Sequence, residues 1–271
     1  MATGIPLQNL YQFVRSLRTA APSVAIVLFT DSKFSSEHQE VCRAFGVEQV
    51  NVDDARLPAY AAGYHPSSTR WLLMQKYLEA LPTPYDNVML TDVRDTVFQL
   101  DPFPFMKEPG FYAFLEAKPG TIRRCGWNSN WVKDCFGGGV LSQIGGNIIS
   151  CSGTSMGSWQ HVLQYVGLMA KELQGPQGTG NTCERNGVDQ GMHNVFVWRK
   201  QVDDLHIITN EDGWIATCQS MSSIQRNMFG QVLNSKGDVV AVVHQWDRSP
   251  QLTQQYQQEF TIVDPRVRNK K

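Results

Sequence analysis

The feature that most narrows the fold is an alternation of helix-like and strand-like patterning through residues 7–91. Leu7, Leu10, Tyr11, Val14 and Leu17 recur on one face at helical spacing, and Pro22 closes that segment. Residues 24–29 form a continuous apolar run ending in Thr30-Asp31, which is the pattern of a buried strand. A helix over 36–45 and a short strand over 47–52 follow. Next comes a helix capped by Ser67 or Ser68 and carrying Trp71, Leu72, Gln75 and Leu78, then a strand over 88–91. Strands alternating with helices predict an α/β fold with a mostly parallel sheet flanked by helices.

The second half is less regular and implies a mixed sheet. Residues 111–115 read as a strand, 125–139 as a loop rich in Gly and Trp, and 147–151 as another strand. A long helix starting at Ser155 carries Trp159, Val162, Leu163, Val166 and Met169 on its apolar face. Residues 175–180 read as a flexible loop, 188–198 as a helix, and 239–243 as a last strand ending in His244-Gln245-Trp246-Asp247-Arg248. Residues 1–250 fit a single domain and 251–271 a C-terminal extension, whose Arg266, Arg268, Lys270 and Lys271 read as a frayed basic end.

Composition excludes several classes. The 271 residues are 42% hydrophobic and 18% charged, enough to bury a full core without staples. A formal net charge of -1 argues against nucleic acid or a membrane surface as partner. No apolar run is long enough to span a bilayer, and Met1 to Gln8 lacks the pattern of a signal peptide. As given, the chain reads as cytoplasmic, with the Golgi lumen as the alternative if an upstream anchor precedes it. The six cysteines show no CxxC pairing. Cys125 and Cys135 either bridge in an oxidising compartment or, like the other cysteines, are buried free thiols. The absence of an Asn-x-Ser/Thr sequon favours a compartment without N-glycosylation.

The most informative stretch is Val88-Met89-Leu90-Thr91-Asp92-Val93-Arg94-Asp95-Thr96. An apolar strand runs straight into two carboxylates, and ligands of open α/β sheets bind at the carboxyl ends of strands. Hard divalent cations take carboxylate oxygens, so Asp92 and Asp95 can share an ion that bridges a diphosphate. The simpler reading is that Asp92 caps the turn and Asp95 pairs with Arg94. The expected position of Asp95 is the carboxyl end of an inner strand, on the same face as His244.

Asp92-Val93-Arg94-Asp95-Thr96, continuing into Val97-Phe98-Gln99-Leu100-Asp101-Pro102-Phe103, resembles the variant Asp-x-Asp segment of GT-A glycosyltransferases. It is similar to plant and algal nucleotide-diphospho-sugar transferases and to the N-terminal glycosyltransferase domain of a multidomain chlorovirus rhamnosyltransferase. The resemblance runs from the first helix to His244. It implies a GT-A catalytic domain over 1–250 that moves a sugar from a nucleoside diphosphate, UDP by analogy, to a glycan hydroxyl, with Mn²⁺ or Mg²⁺ as cofactor. It implies His244 as the third metal ligand beside Asp92 and Asp95, with Asp247 or Arg248 orienting it, or Arg248 meeting the diphosphate. One departure is that GT-A domains open with a strand before the first helix; here that strand is missing or reduced to Met1-Ala2-Thr3-Gly4, which suggests a longer parent protein.

The same resemblance assigns further candidates. Cys151-Ser152-Gly153-Thr154-Ser155-Met156-Gly157 reads as a small-residue turn from strand to helix, in which Ser152, Gly153 and Thr154 either contact the nucleotide-sugar or cap the helix. Val188-Asp189-Gln190 resembles the helix start at which glycogenin-like transferases place an Asp near the reacting sugars. Asp189 is therefore a catalytic candidate and Gln190 a donor contact, with capping as the alternative. Glu116, ending the strand at 111–115, is a second catalytic and sugar-contacting candidate. Arg70 and Arg94 offer forks for phosphate or carboxylate. Trp127 and Trp131 either form an acceptor platform or pack in the core. A sugar nucleotidyltransferase is disfavoured, because no N-terminal Gly-rich loop with Arg and Lys for a triphosphate is present. A non-catalytic sugar- or partner-binding descendant of the fold is the competing reading. The oligomer expected is a monomer or weak dimer.

Overall fold

The computed structural model describes residues 1–175, 187–219 and 221–262. In chain order the elements are α1 (Leu7–Ala20), β1 (Ile26–Thr30), α2 (Ser36–Ala44), β2 (Val47–Asn51), α3 (Pro66–Ala80), β3 (Asn87–Thr91), β4 (Thr96–Phe98) and β5 (Phe111–Leu115). They continue with α4 (Gly126–Ile144), β6 (Ser150–Ser158), α5 (Trp159–Gln174), α6 (Val188–Trp198), β7 (Leu205–Ile208), β8 (Ile215–Thr217), β9 (Gln225–Arg226), β10 (Val232–Leu233), β11 (Val242–His244) and α7 (Pro250–Glu259). The chain divides into two compact units, one of Met1–Ala55, Asp92–Phe105 and Asn210–Lys271, the other of Arg56–Thr91 and Met106–Thr209.

The first unit holds the parallel pair β1-β2 and a three-stranded sheet ordered β4-β11-β8. β11 runs parallel to β8 and antiparallel to β4. Val97, Val243, Trp246, Leu252, Tyr256 and Phe260 share one buried cluster, so α7 is part of this unit's core and not an appended extension. The apolar i, i+4 spacing of Leu252, Tyr256 and Phe260 gives α7 the face that docks. The basic residues 266–271 and most of the 175–180 loop lie outside the described residues.

The second unit is built on a four-stranded sheet ordered β3-β6-β5-β7. β3, β5 and β7 share one direction and β6 opposes them, so the strands are mostly parallel in sense, with helices α3, α5 and α6 in the same unit. β3 is an edge strand, so Asp92 follows an edge strand and not an inner one.

Three local expectations are corrected. The Gly- and Trp-rich stretch is helical as α4, two helical pieces joined at a kink at Gly137 (φ 81°, ψ 169°), a conformation a side chain would resist. The segment 151–157 is not a turn but the body of β6, and the following helix starts at Trp159. Gly157 in β6 is required by close backbone approach, because a Cβ there would lie 2.5 Å from the Gly110 carbonyl oxygen. Helix α3 is capped by His65, whose Nδ1 accepts from the Ser67 amide at 3.2 Å, with Pro66 in its first turn. Cys125 is a free thiol and Cys135 is disulfide-bonded, so these two do not bridge each other; Cys42, Cys151 and Cys218 are buried free thiols. Among the described residues, no helix is long and apolar enough to cross a membrane.

Candidate functional site

Strand pairing in the first unit brings distant residues together. β11 aligns His244 with Thr96 of β4, and the Gln245 amide donates to the Asp95 carbonyl at 2.8 Å. The Asp95 side chain thereby lies beside the His244 ring, with Oδ1 3.6 Å from Nε2, while Oδ2 of Asp92 lies 3.9 Å from the same nitrogen. The three residues can each turn one ligand atom to within 4.8 Å of the others. Two ligands about 2.1 Å from one ion can stand up to about 4.2 Å apart, so the two measured separations suit a shared cation. His244 is fully buried and Asp95 is 3% exposed, whereas Asp92 is half-buried and reaches solvent.

The electrostatics fit the same use. Burial pushes the Asp95 carboxyl up, but the His244 ring and the Arg94 guanidinium outweigh it and bring the pKa down to about 2. Arg94 Nη2 lies 3.2 Å from Asp95 Oδ2 and 3.4 Å from Asp247 Oδ2. Asp95 Oδ1 is buried and makes no hydrogen bond among the described residues, an acceptor held out of water with its lone pairs toward the histidine. Two carboxylates and an imidazole form a donor set for Mn²⁺ or Mg²⁺. Arg248 bonds Asp247 at 3.2 Å and Gln219 at 3.2 Å, which places it beside the carboxylate that Arg94 also contacts. Cys218, which was not singled out from sequence, donates its amide to the His244 carbonyl at 2.9 Å. Burial, reinforced by Asp247 and Asp95, pushes its thiol up to about 12, so it packs as a neutral thiol.

In the second unit, Arg70 of α3 bonds Asp189 of α6, Nη2 to Oδ2, at 2.5 Å. Both are buried or half-buried, so Asp189 is held as a paired carboxylate and not merely as a solvated helix cap. The turn before it is tightly fitted: a Cβ on Gly187 (φ 85°) would strike the Trp131 ring at 2.3 Å. Gln190 spends both ends of its amide on β6, accepting from the Ser152 amide at 2.7 Å and donating to the Ser150 carbonyl at 2.5 Å. Asn194 accepts from the Ser150 amide at 2.9 Å and donates to its carbonyl at 3.0 Å. These bonds fix β6 and leave Gln190 as a clamp on the strand.

Ser152, Gly153 and Thr154 all lie on β6, with Thr154 paired to Thr91. The Thr154 and Ser155 hydroxyls are buried and make no hydrogen bond among the described residues. Glu116 is buried just beyond β5, its amide donating to the Ile149 carbonyl at 2.8 Å. Trp131 packs on α6, while Trp127 is 72% exposed with its ring 6.0 Å from that of Trp131.

No protein-family model matches the sequence, and no curated protein matches it in a sequence comparison. Solved structures do match. An active-site mutant of LgtC aligns over 96% of this chain and 94% of its own, with a TM-score of 0.51 and 13% identity. The galactosyltransferase LgtC in complex with donor and acceptor sugar analogues aligns over 94% of this chain and 91% of its own, with a TM-score of 0.53 and 14% identity. At these identities the likeness speaks to architecture alone, and that architecture is the GT-A glycosyltransferase fold expected from the sequence.

Proposed function

We propose that this protein is a metal-dependent glycosyltransferase, moving a sugar from a nucleoside diphosphate, UDP by analogy, to a glycan hydroxyl. The observation that carries the reading is the convergence of Asp92, Asp95 and His244 at the distances above, three residues singled out by type and position before their spacing was known. It is supported by the fold shared with a galactosyltransferase solved in complex with donor and acceptor sugar analogues.

On this reading Asp92, Asp95 and His244 hold Mn²⁺ or Mg²⁺. Bound there, the cation supplies positive charge against the departing diphosphate. Arg94 and Arg248 add fixed positive charge near the phosphates, and the pairing of Arg94 with both Asp95 and Asp247 keeps it in place. Arg70 pairs with Asp189 and orients it, and Asp189 and Glu116 are the carboxylates assigned to the sugar chemistry. The Asp189-Gln190 resemblance tilts the stereochemistry toward retention. Ser152, Gly153, Thr154 and Gln190 belong to donor binding, Gln190 through its hold on β6. The disulfide at Cys135 supports an oxidising compartment such as the Golgi lumen. A monomer or weak dimer remains the proposed state.

The test is calorimetry of UDP binding with Mn²⁺ and with chelator, followed by a donor panel read by product mass. Metal-dependent UDP binding with transfer of one sugar supports the proposal. UDP binding without any turnover across the panel would point instead to a non-catalytic descendant, and tighter binding of GDP or CMP would overturn the donor.

A further inference from the structure

In the second unit an open cavity of about 490 Å³ is lined by none of the residues assigned above to metal, donor or catalysis. Lys118, Thr121, Arg123, Arg124 and Gly145 help to line it, and no carboxylate does. Its size falls within the range that holds a small-molecule ligand. All three of its cations are solvent-exposed, and among the described residues none of them forms an ion pair. Three like charges around one concavity repel one another and favour an anion between them.

The wall is built rather than incidental. Thr121 bridges Ile148, the Arg123 amide donates to the Gly145 carbonyl at 2.9 Å, and the Ile122 amide donates to the Asn147 carbonyl at 3.0 Å. Arg123 Nη2 also donates to the Ser142 carbonyl at 3.2 Å. A Cβ on Gly145 would lie 2.6 Å from the Leu141 carbonyl oxygen, and the Arg123 side chain passes beside this glycine. Lys118 and Arg124 carry no such tether, which leaves their charges for a ligand. Trp127 sits three residues beyond Arg124, in the first turn of α4, and turns 72% of its surface to solvent. An exposed indole is a face for the C–H side of a pyranose, while an unpaired Lys–Arg set receives an anionic group, a sugar carboxylate among them.

The geometry points to an acidic-sugar subsite, in which Lys118, Arg123 and Arg124 receive the anionic group of an oligosaccharide and Trp127 stacks on a neighbouring ring. As the subsite of an acceptor this rests on the transferase reading; as a binding site it stands without it. The test therefore uses neither donor nor metal. The full chain, in chelator, is titrated calorimetrically with a short oligogalacturonate, with the same oligosaccharide methyl-esterified, with inorganic phosphate and with UDP. Variants are Lys118→Gln with Arg124→Gln, and Trp127→Ala, each checked by melting.

The acidic oligosaccharide is expected to bind in a salt-sensitive way and its ester to bind weakly or not at all. The double glutamine variant is expected to lose about tenfold in affinity, the yield of two exposed charge contacts, and Trp127→Ala to lose a few-fold, with melting unchanged. Equal binding of acid and ester, no effect of the charge variants, or phosphate or UDP competing at the cavity as tightly as the oligosaccharide overturns the inference. Because Mn²⁺-dependent UDP binding at Asp92, Asp95 and His244 is measured separately, either proposal can fail while the other survives.

Discussion

Asp95 and His244, far apart in sequence, stand 3.6 Å apart from Oδ1 to Nε2, with the carboxylate buried and that oxygen making no hydrogen bond among the described residues. His244 and Arg94 already hold this carboxylate ionised, and a cation shared by Asp92, Asp95 and His244 binds only the folded chain, in which the three converge. Mn²⁺ is therefore expected to raise the melting temperature of the native chain. At a hundredfold excess over its dissociation constant the gain is about 2.7 kcal/mol. Asp95→Ala should abolish that gain and reduce turnover on the order of a hundredfold or more. His244→Ala should weaken metal affinity in the same assay. Native-like metal stabilisation and turnover in both variants would remove the metal assignment.

The Arg70–Asp189 pair calls for a different experiment, because removing one partner strands the other. Arg70→Met leaves a nearly buried carboxylate without its counter-ion, and the expected loss of stability is about 3–5 kcal/mol. Combining it with Asp189→Leu should recover most of that loss, because an apolar pair replaces the ionic one at similar volume. Denaturant unfolding of the single and double variants reads the coupling. Asp189→Asn keeps the shape but leaves the Arg70 guanidinium without its counter-ion, so both turnover and the unfolding midpoint are expected to fall. If the double variant is as unstable as Arg70→Met, the pair is not the source of the loss.

What could be read from sequence follows from how burial writes itself into a chain. β5 was found to the residue because all five of its side chains are buried, which leaves an unbroken apolar run. α6 was found because its helical apolar period is clean and a glycine precedes it. Asp92 and Asp95 stood out as two acids directly after an apolar strand, and the structure realises both readings at Asp95, which pairs with Arg94 and lies beside His244. β6 was hidden because its run of Ser, Gly and Thr lacks the apolar composition of a buried strand and looks like a turn. α4 was hidden by three consecutive glycines at 137–139, the first of which breaks the helical backbone into two pieces at a kink. The Arg70–Asp189 bond was missed because neither residue's local pattern carries information about a partner more than a hundred positions away.

Gln245, directly after His244, holds a left-handed backbone at φ 56° and ψ 37°. That conformation costs a non-glycine residue about 1–2 kcal/mol, and the Gln245 side-chain oxygen is also buried without a hydrogen bond among the described residues. Gln245→Gly should therefore stabilise the fold by up to about 1 kcal/mol, after the larger unfolded-state entropy of glycine is subtracted. Gln245→Val, β-branched in the same conformation, should destabilise it. Thermal or denaturant midpoints of the two variants check the sign. Destabilisation by glycine would mean that the glutamine side chain contributes more than its backbone costs.

His193 gives the pH prediction. Its ring is fully buried, with Nε2 2.8 Å from the Ser150 hydroxyl and Nδ1 2.8 Å from the Tyr165 hydroxyl. Ser150 donates its own proton to the Phe114 carbonyl at 3.3 Å, so it accepts from Nε2–H, and Tyr165 then donates to Nδ1. Both ring nitrogens are used by a neutral imidazole, and protonation would set a second N–H against the Tyr165 proton. Burial, helped by Arg70, pushes the pKa from 6.5 down to about 3. A folded pKa below the unfolded value means that the unfolded chain binds more protons across this interval. Stability from the neutral ring is then complete above pH 6.5 and is lost as the pH falls toward 3, at up to about 1.4 kcal/mol per pH unit. Unfolding free energies of the native chain and of His193→Gln, measured from pH 7 to pH 5, should differ in slope by about that amount, the native chain being steeper. Ring-proton NMR of the folded native chain supplies the independent check: the His193 resonances should hold the neutral form through pH 5, and a midpoint near 6.5 would sink the argument even if the variant failed to fold.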